Sequence, residues 1–199
     1  MISLQVNRAS FNSEFNRVLG EARNPVAVLK ASGRELANQL KAHFRMKDRT
    51  PNKLSPRRQH FWLEIAQSVN NPEQTGDNTI SVRVSDPRIA QKVFGGTITA
   101  KRAGALTKPV SEKAYGRTAA TFEAETGLKL FLLGPKKDTG GRGGVLAAMV
   151  GGQLEVEYVL AKSVDQAPDP TALPDFKDLE AAILKRAQAV ADSQNEKSD

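Results

Sequence analysis

The sequence predicts an α+β fold, with a mostly antiparallel sheet flanked by an N-terminal helical hairpin and a C-terminal helix. Apolar residues recur at helical spacing in residues 25–45 and 175–191. Apolar and polar residues alternate with period two at 80–84, as they do in half-buried strands, and 154–160 shows a similar alternation. The glycine pair at 151–152 separates two such segments, where a hairpin turn needs positive φ angles.

The composition is that of a globular protein. The 199 residues suffice for one domain with a hydrophobic core, so we predict a single domain over residues 1–199. The mean hydropathy of −0.43 and the absence of an apolar run of about 20 residues predict no membrane contact. The chain has no cysteine, which excludes disulfides and thiolate chemistry and suits the bacterial cytosol.

The N-terminal third is predicted to be helical. Asn24 and Pro25 are favourable start residues, and the apolar stripe that follows predicts a helix to about Arg45. Gly33 either weakens this helix slightly or allows another element to approach closely. Ser55 and Pro56 predict the start of a second helix reaching about Val69, so residues 24–69 are predicted to form a helical hairpin. A short amphipathic helix is predicted before it, around Phe11 to Leu19.

The sheet is predicted to occupy residues 78–164. Its strands are expected at 80–84, 97–100, 105–108, 128–133, 145–150 and 153–160, with a short helix after Asp86 and Pro87. The apolar run at 128–133 is interpreted as a buried strand, and Glu155 and Glu157 as the solvent-facing residues of the last one. A proline-rich connector leads to a C-terminal helix at 175–192.

A glycine-rich segment at 134–144 interrupts the predicted sheet. It contains five glycines in eleven residues and three basic side chains, Lys136, Lys137 and Arg142. The spacing differs from that of a phosphate-binding loop, and a strand rather than a helix is predicted to follow. We therefore interpret it as an arm that becomes ordered on a partner subunit.

Basic residues concentrate between positions 41 and 58. Seven of them stand against one acidic residue, Asp48, and they are Lys41, Arg45, Lys47, Arg49, Lys53, Arg57 and Arg58. Such a patch suits nucleic acid or an acidic protein surface, while a solvated helix end is the plainer interpretation. A nucleic-acid-binding module using this patch is therefore kept as the alternative function.

No catalytic constellation emerges from the sequence. His43 and His60 are the two histidines, too few for a zinc site without cysteine. Trp62 beside Phe61 is interpreted as a core residue rather than a stacking platform for bases. We therefore predict no enzyme activity, no metal site and no cofactor.

Several short motifs, in their order along the chain, resemble the Mu-like phage virion morphogenesis and tail-completion proteins. The central one is VFGGTI at 93–98, followed by Lys101, ALT at 105–107 and PV at 109–110. The similarity runs from about Gly33 to Pro174 and includes PNKL at 51–54, HFW at 60–62, AYGR at 114–117, LFL at 130–132 and YVLAKSV at 158–164.

The resemblance implies a structural virion protein at the head–tail junction, made in the bacterial host cytoplasm. It implies a ring of identical subunits, often sixfold, that caps the tail tube as a terminator, completion or neck protein. The implied partners are further copies of the chain, the tail tube protein and neck or connector proteins, with non-specific contact to DNA in the lumen left open. Candidate interface residues are the arm cations Lys136, Lys137 and Arg142 and the step formed by Phe94, Gly95 and Gly96.

Overall fold

The computed structural model describes residues 1–7, 11–50, 60–101, 104–134 and 144–196. These residues form helices and antiparallel sheets, with helices towards the N-terminus and one long helix at the C-terminus, which confirms the predicted α+β class. The elements in chain order are β1 (Ile2–Asn7), α1 (Ser13–Glu21), α2 (Pro25–Asp48), α3 (Phe61–Gln67), β2 (Glu73–Gly76), β3 (Thr79–Val84), α4 (Arg88–Phe94), β4 (Gly96–Thr99), β5 (Leu106–Pro109), α5 (Ala119–Thr126), β6 (Leu130–Leu133), β7 (Val145–Val150), β8 (Gln153–Ala161), β9 (Ser163–Gln166) and α6 (Phe176–Glu196).

The described residues group into two compact units. The first unit comprises Met1–Arg49, His60–Phe94 and Pro168–Asp199, and the second includes Gly95–Ala167. The single domain expected over residues 1–199 stays a prediction. The strands expected to share one sheet at 78–164 instead belong to three antiparallel sheets, ordered β1-β3-β2, β4-β9 and β5-β8-β7-β6.

Helix α2 is the centre of the first unit. Asn24 Oδ1 accepts a hydrogen bond from the amide of Ala27 (3.0 Å), and Pro25 occupies the first turn, as the sequence predicts. The helix continues to Asp48, beyond the end predicted at about Arg45. Its buried stripe packs against α3, α6 and β3, and includes Leu29, Leu36, Leu40 and Phe44.

Strand β3 is the middle strand of the first unit's sheet. Ile80, Val82 and Val84 are buried, whereas Arg83 is exposed, in agreement with the predicted alternation. Strand β1 pairs along its whole length with β3, with Leu4 opposite Val82. Strand β1 is absent from the predicted elements, although Ile2, Leu4 and Val6 alternate with polar residues as in a half-buried strand.

Helix α3 is shorter than the helix expected from Ser55 to Val69. It begins at Phe61 after His60, which has a φ of 53°, and it ends at Gln67. The predicted start at Ser55 lies outside the described residues. Trp62 is half-buried rather than fully buried, and its ring stacks on Phe44 with the centroids 5.9 Å apart.

Candidate functional site

The predicted step at Phe94 lies where α4 ends and β4 begins. Phe94 is 71% exposed, which makes it one of the most exposed large apolar residues. Gly95 and Gly96 have φ angles of 68° and 118°, which residues other than glycine rarely adopt. An exposed aromatic ring therefore lies beside a turn that needs both glycines. The contact role of this step stays a prediction.

The arm residues Lys136, Lys137 and Arg142 lie outside the residues that the structure describes. The strands on both sides of them are described. They are β6, which ends at Leu133, and β7, which begins at Val145; the two strands pair with each other. The interface role of the arm remains a prediction.

The β7–β8 hairpin carries the most informative feature of the second unit. Gly151 and Gly152 have φ angles of 57° and 83°, as expected for the predicted two-glycine turn. Further along, Leu146 pairs with Tyr158 and Ala147 pairs with Val156, so Glu157 is an extra residue in β8. Such a β-bulge places Val156 and Tyr158 on opposite faces of the sheet, although their spacing in sequence predicts the same face.

One face of the four-stranded sheet is covered by the chain itself. Tyr158 is fully buried on this face, and its ring meets Phe122 of α5 edge to face, with the centroids 5.9 Å apart. The Tyr158 hydroxyl donates to the carbonyl oxygen of Arg117 (3.1 Å), which satisfies the polar tip of the ring. Ala114 and Ala148 complete the small core that these rings form.

The opposite face is apolar and open to solvent. We call it the open face; strand pairing assigns to it Leu106, Lys108, Phe131, Leu133, Val145, Ala147, Met149, Leu154, Val156 and Val159. Phe131 is 48% exposed and Leu154 is 51% exposed, and Leu133, Met149, Val156 and Val159 are also exposed. Ala147 between them is buried, and Lys108 is the one charged residue in the set. Solvent-facing strand positions are ordinarily polar, so this face departs from the usual pattern.

Strand β6 is an edge strand and pairs with β7 alone among the described residues. The prediction that the strand within residues 128–133 is buried is wrong, because Phe131, Leu132 and Leu133 are all exposed. The physical reason is that Phe131 and Leu133 belong to the open face, which no described element covers. An exposed apolar edge strand is a template for pairing with another chain.

Glu157 does not face solvent as predicted. The bulge buries it completely, and Ser111 donates a hydrogen bond to Glu157 Oε2, whereas Oε1 has no partner among the described residues. Glu155 instead forms an ion pair with Lys113 (2.9 Å) near the surface. The two carboxylates therefore differ in environment, and each is bonded to a different partner.

The structure divides the predicted basic patch. Lys41, Arg45 and Arg49 lie among the described residues, whereas Lys53, Arg57 and Arg58 lie outside them. Lys47 is not available to a ligand, because its Nζ binds Asp169 Oδ2 (3.0 Å) and lies 4.6 Å from the centre of the Trp62 ring. Lys47 thus has contacts within the first unit, and the binding role of the patch stays a prediction.

Both histidines have local partners. His43 Nε2 donates to the carbonyl oxygen of Thr171 (3.0 Å), and burial lowers the pKa of this imidazole below its ordinary value of 6.5. His60 Nδ1 lies 3.0 Å from Asp48 Oδ2. The described residues contain no group of three or more side chains that could hold a metal ion. Within the same residues, no helix is long and apolar enough to cross a membrane.

A cleft of about 760 Å³ lies beside His43, between α2 and the connector that precedes α6. Asp175, Asp178 and Phe176 line it on the connector and helix side. The sequence analysis did not anticipate this cleft, because its two walls are more than 100 residues apart along the chain.

Comparison with known proteins adds no relative. No family model matches the chain, and no curated protein and no solved structure matches it either.

Proposed function

We propose that this chain is a structural subunit of a phage virion that associates with further copies of itself through the open face. The observation that carries the proposal is an apolar sheet surface that the described parts of the chain leave exposed. The motif order that resembles the Mu-like tail-completion proteins supplies the location, which is the head–tail junction. In this proposal the chain acts by binding and assembly, with no chemical step.

The size of the open face supports a protein partner. Its six exposed apolar side chains present roughly 500 Å² of apolar area, which is comparable with the largest patch of a typical monomer. A specific interface of standard size buries about 800 Å² on each partner. The open face together with the adjoining edge of β6 approaches that value, so a second subunit can cover it.

The chemistry of the face favours a second copy over a charged ligand. Lys108 is the one charged group on it, so the surface offers few electrostatic contacts to a polyanion or a basic protein. Apolar sheet faces pack against one another at about 10 Å with their strands aligned. A second copy brings an equally apolar face, and the exposed β6 edge lets strand pairing extend the contact.

Sedimentation velocity over a range of protein concentrations tests the association. We expect the wild-type sedimentation coefficient to rise with concentration, and the change Phe131→Asp or Leu154→Asp to weaken association by at least about tenfold, since it buries an unpaired charge. Leu132→Asp is the matched control. Leu132 lies on the same strand as Phe131 and is 66% exposed, but its side chain points to the opposite face.

Two results would contradict the association. One is a wild-type chain that stays monomeric at the highest soluble concentration. The other is a loss of association in Leu132→Asp equal to that in Phe131→Asp, which would place the contact elsewhere. Circular dichroism should show that all variants keep the wild-type secondary structure, because each replaced side chain is exposed.

The virion location has its own test. Mass spectrometry of purified particles from the phage or prophage that encodes the chain should detect it, and immunogold labelling should place it at the head–tail junction. Absence of the chain from mature, infectious particles would refute the location while leaving self-association intact.

A further inference from the structure

Four basic side chains form a straight stripe on the exposed side of α2. They are Lys30, Arg34, Lys41 and Arg45, and at 100° per residue they fall within a sector of about 60°. From Lys30 to Arg45, 15 residue steps apart, the helix rises by about 22 Å. Lys30, Arg34 and Arg45 are exposed and Lys41 is half-buried, so the charges face solvent rather than the core.

The described residues do not neutralise the stripe. None of the four side chains has an ion pair or hydrogen bond to another described residue. The two acidic residues of α2 are occupied elsewhere, since Glu35 accepts from Gln39 (2.7 Å) and Asp48 accepts from the amide of Leu63 (3.1 Å). By contrast Lys47, on the same helix, forms an ion pair with Asp169. The structure thus separates free cations from a structural one.

A cleft of about 490 Å³ extends the stripe at its N-terminal half. Lys30 and Arg34 line it together with Asn71, Pro72, Gln74 and Ile80. Asn71 and Gln74 are exposed and add neutral amide donors beside the two cations. Cations with amide donors form the usual set that contacts phosphate oxygens along a nucleic-acid backbone.

We propose that the α2 stripe binds the phosphodiester backbone of nucleic acid, without regard to base sequence. A row of unpaired cations about 22 Å long follows a charged polymer better than it encloses a small anion. A membrane surface is less suitable, because interfacial helices insert large apolar side chains, and the other exposed residues of α2 between Lys30 and Arg45 are Asn38 and Ala42. The site uses Lys30 and Arg34, which lie outside the basic segment that the sequence singled out.

Fluorescence anisotropy with a short labelled DNA duplex of mixed sequence, titrated at several salt concentrations, tests the proposal. Four phosphate contacts give a slope of about −3.6 for log K against log salt, so affinity should fall on the order of 100-fold between about 50 and 200 mM salt. The double change Arg34→Gln with Arg45→Gln should halve that slope and weaken binding. A second duplex of unrelated sequence should bind equally well.

The control removes the same charge from another place. Lys177 and Lys185 lie on the exposed side of α6, and Lys177→Gln with Lys185→Gln should leave both the affinity and the slope close to wild type. An equal loss in this control would overturn the proposal, since it would show an effect of net charge alone. So would tight binding to vesicles of phosphatidylserine without binding to DNA, or no binding to DNA at low salt.

This surface and the open face can fail separately. The stripe lies on α2 of the first unit and the open face lies on the second unit. Phe131→Asp should therefore keep the wild-type salt slope per subunit, and the α2 variants should keep the wild-type association.

Discussion

Replacing Gly33 by alanine tests how closely α2 and β3 pack. A Cβ atom built at Gly33 lies 2.2 Å from Ile80 Cγ2 and 2.9 Å from Pro72 Cβ. Favourable contacts between carbon atoms occur at about 3.5–4.0 Å. Ile80 is itself buried, with 1% of its surface exposed, so its methyl group has little room to move away. The substitution must displace the helix or force Ile80 from its rotamer.

The expected loss of stability follows from two opposing effects. Overpacking a core costs about 1–3 kcal/mol, and occasionally more. Alanine in a helix regains about 1 kcal/mol over glycine. Because the Ile80 contact is far below van der Waals distance, we expect the upper end of the cost and a net loss of about 2 kcal/mol in the free energy of unfolding.

Urea unfolding measures this loss, with Trp62 fluorescence as the probe of the first unit. A loss of about 2 kcal/mol should lower the urea midpoint by about 1 M. Gly20→Ala on α1 is the matched control, since a Cβ there has nothing within 4 Å. It should raise stability by up to about 0.5–1 kcal/mol through helix propensity. If Gly33→Ala is as stable as wild type, the close approach of Ile80 to α2 is refuted.

Two further predictions concern the same unit. Trp62→Ala should lower the free energy of unfolding by about 2–3 kcal/mol, less than the 3–5 kcal/mol of a fully buried ring, because Trp62 is half-buried on Phe44; circular dichroism in urea measures it, Trp62→Phe is the control, and a loss under about 1 kcal/mol would contradict the stacking. His43 should make stability pH-dependent: burial lowers its folded pKa, so the unfolded chain binds the proton more readily, and stability should fall as the pH drops below 6.5. The urea midpoint of His43→Gln should change less over this range, and identical pH profiles would refute the role of His43.

Helix α2 was predictable because its sequence signals are local. Asn24 and Pro25 mark the start of α2, and the apolar stripe to Phe44 gives its buried face, all within one continuous segment. A close approach at Gly33 was one of two interpretations of that glycine, and the sequence did not identify the neighbour. Ile80 lies far along the chain, and only the tertiary structure brings it to the helix.

The charges were harder to interpret for the same reason. Lys47 and Arg45 are indistinguishable in the sequence as basic residues near a helix end. Asp169, 122 residues away, binds Lys47, whereas Arg45 has no ion pair or hydrogen bond to a described residue. A count of cations over 41–58 therefore overestimates the free charge there. It also omits Lys30 and Arg34, which share the exposed side of α2 but lie earlier in the sequence.

The open face depends on Glu157, which a strict alternation of inward and outward residues along β8 does not single out. Alternation along β8 places Leu154, Val156, Tyr158 and Leu160 on one face and predicts that all four are buried. The bulge at Glu157 changes this, because Tyr158 then pairs with Leu146 on the covered face while Val156 pairs with Ala147 on the open face. Glu157 is held at the bulge by Ser111, and its carbonyl oxygen accepts from the amide of Val110 (2.9 Å). One apolar pattern thus supplies two surfaces: Tyr158 after the bulge joins the core, and Leu154 and Val156 before it belong to the face proposed to bind a second subunit.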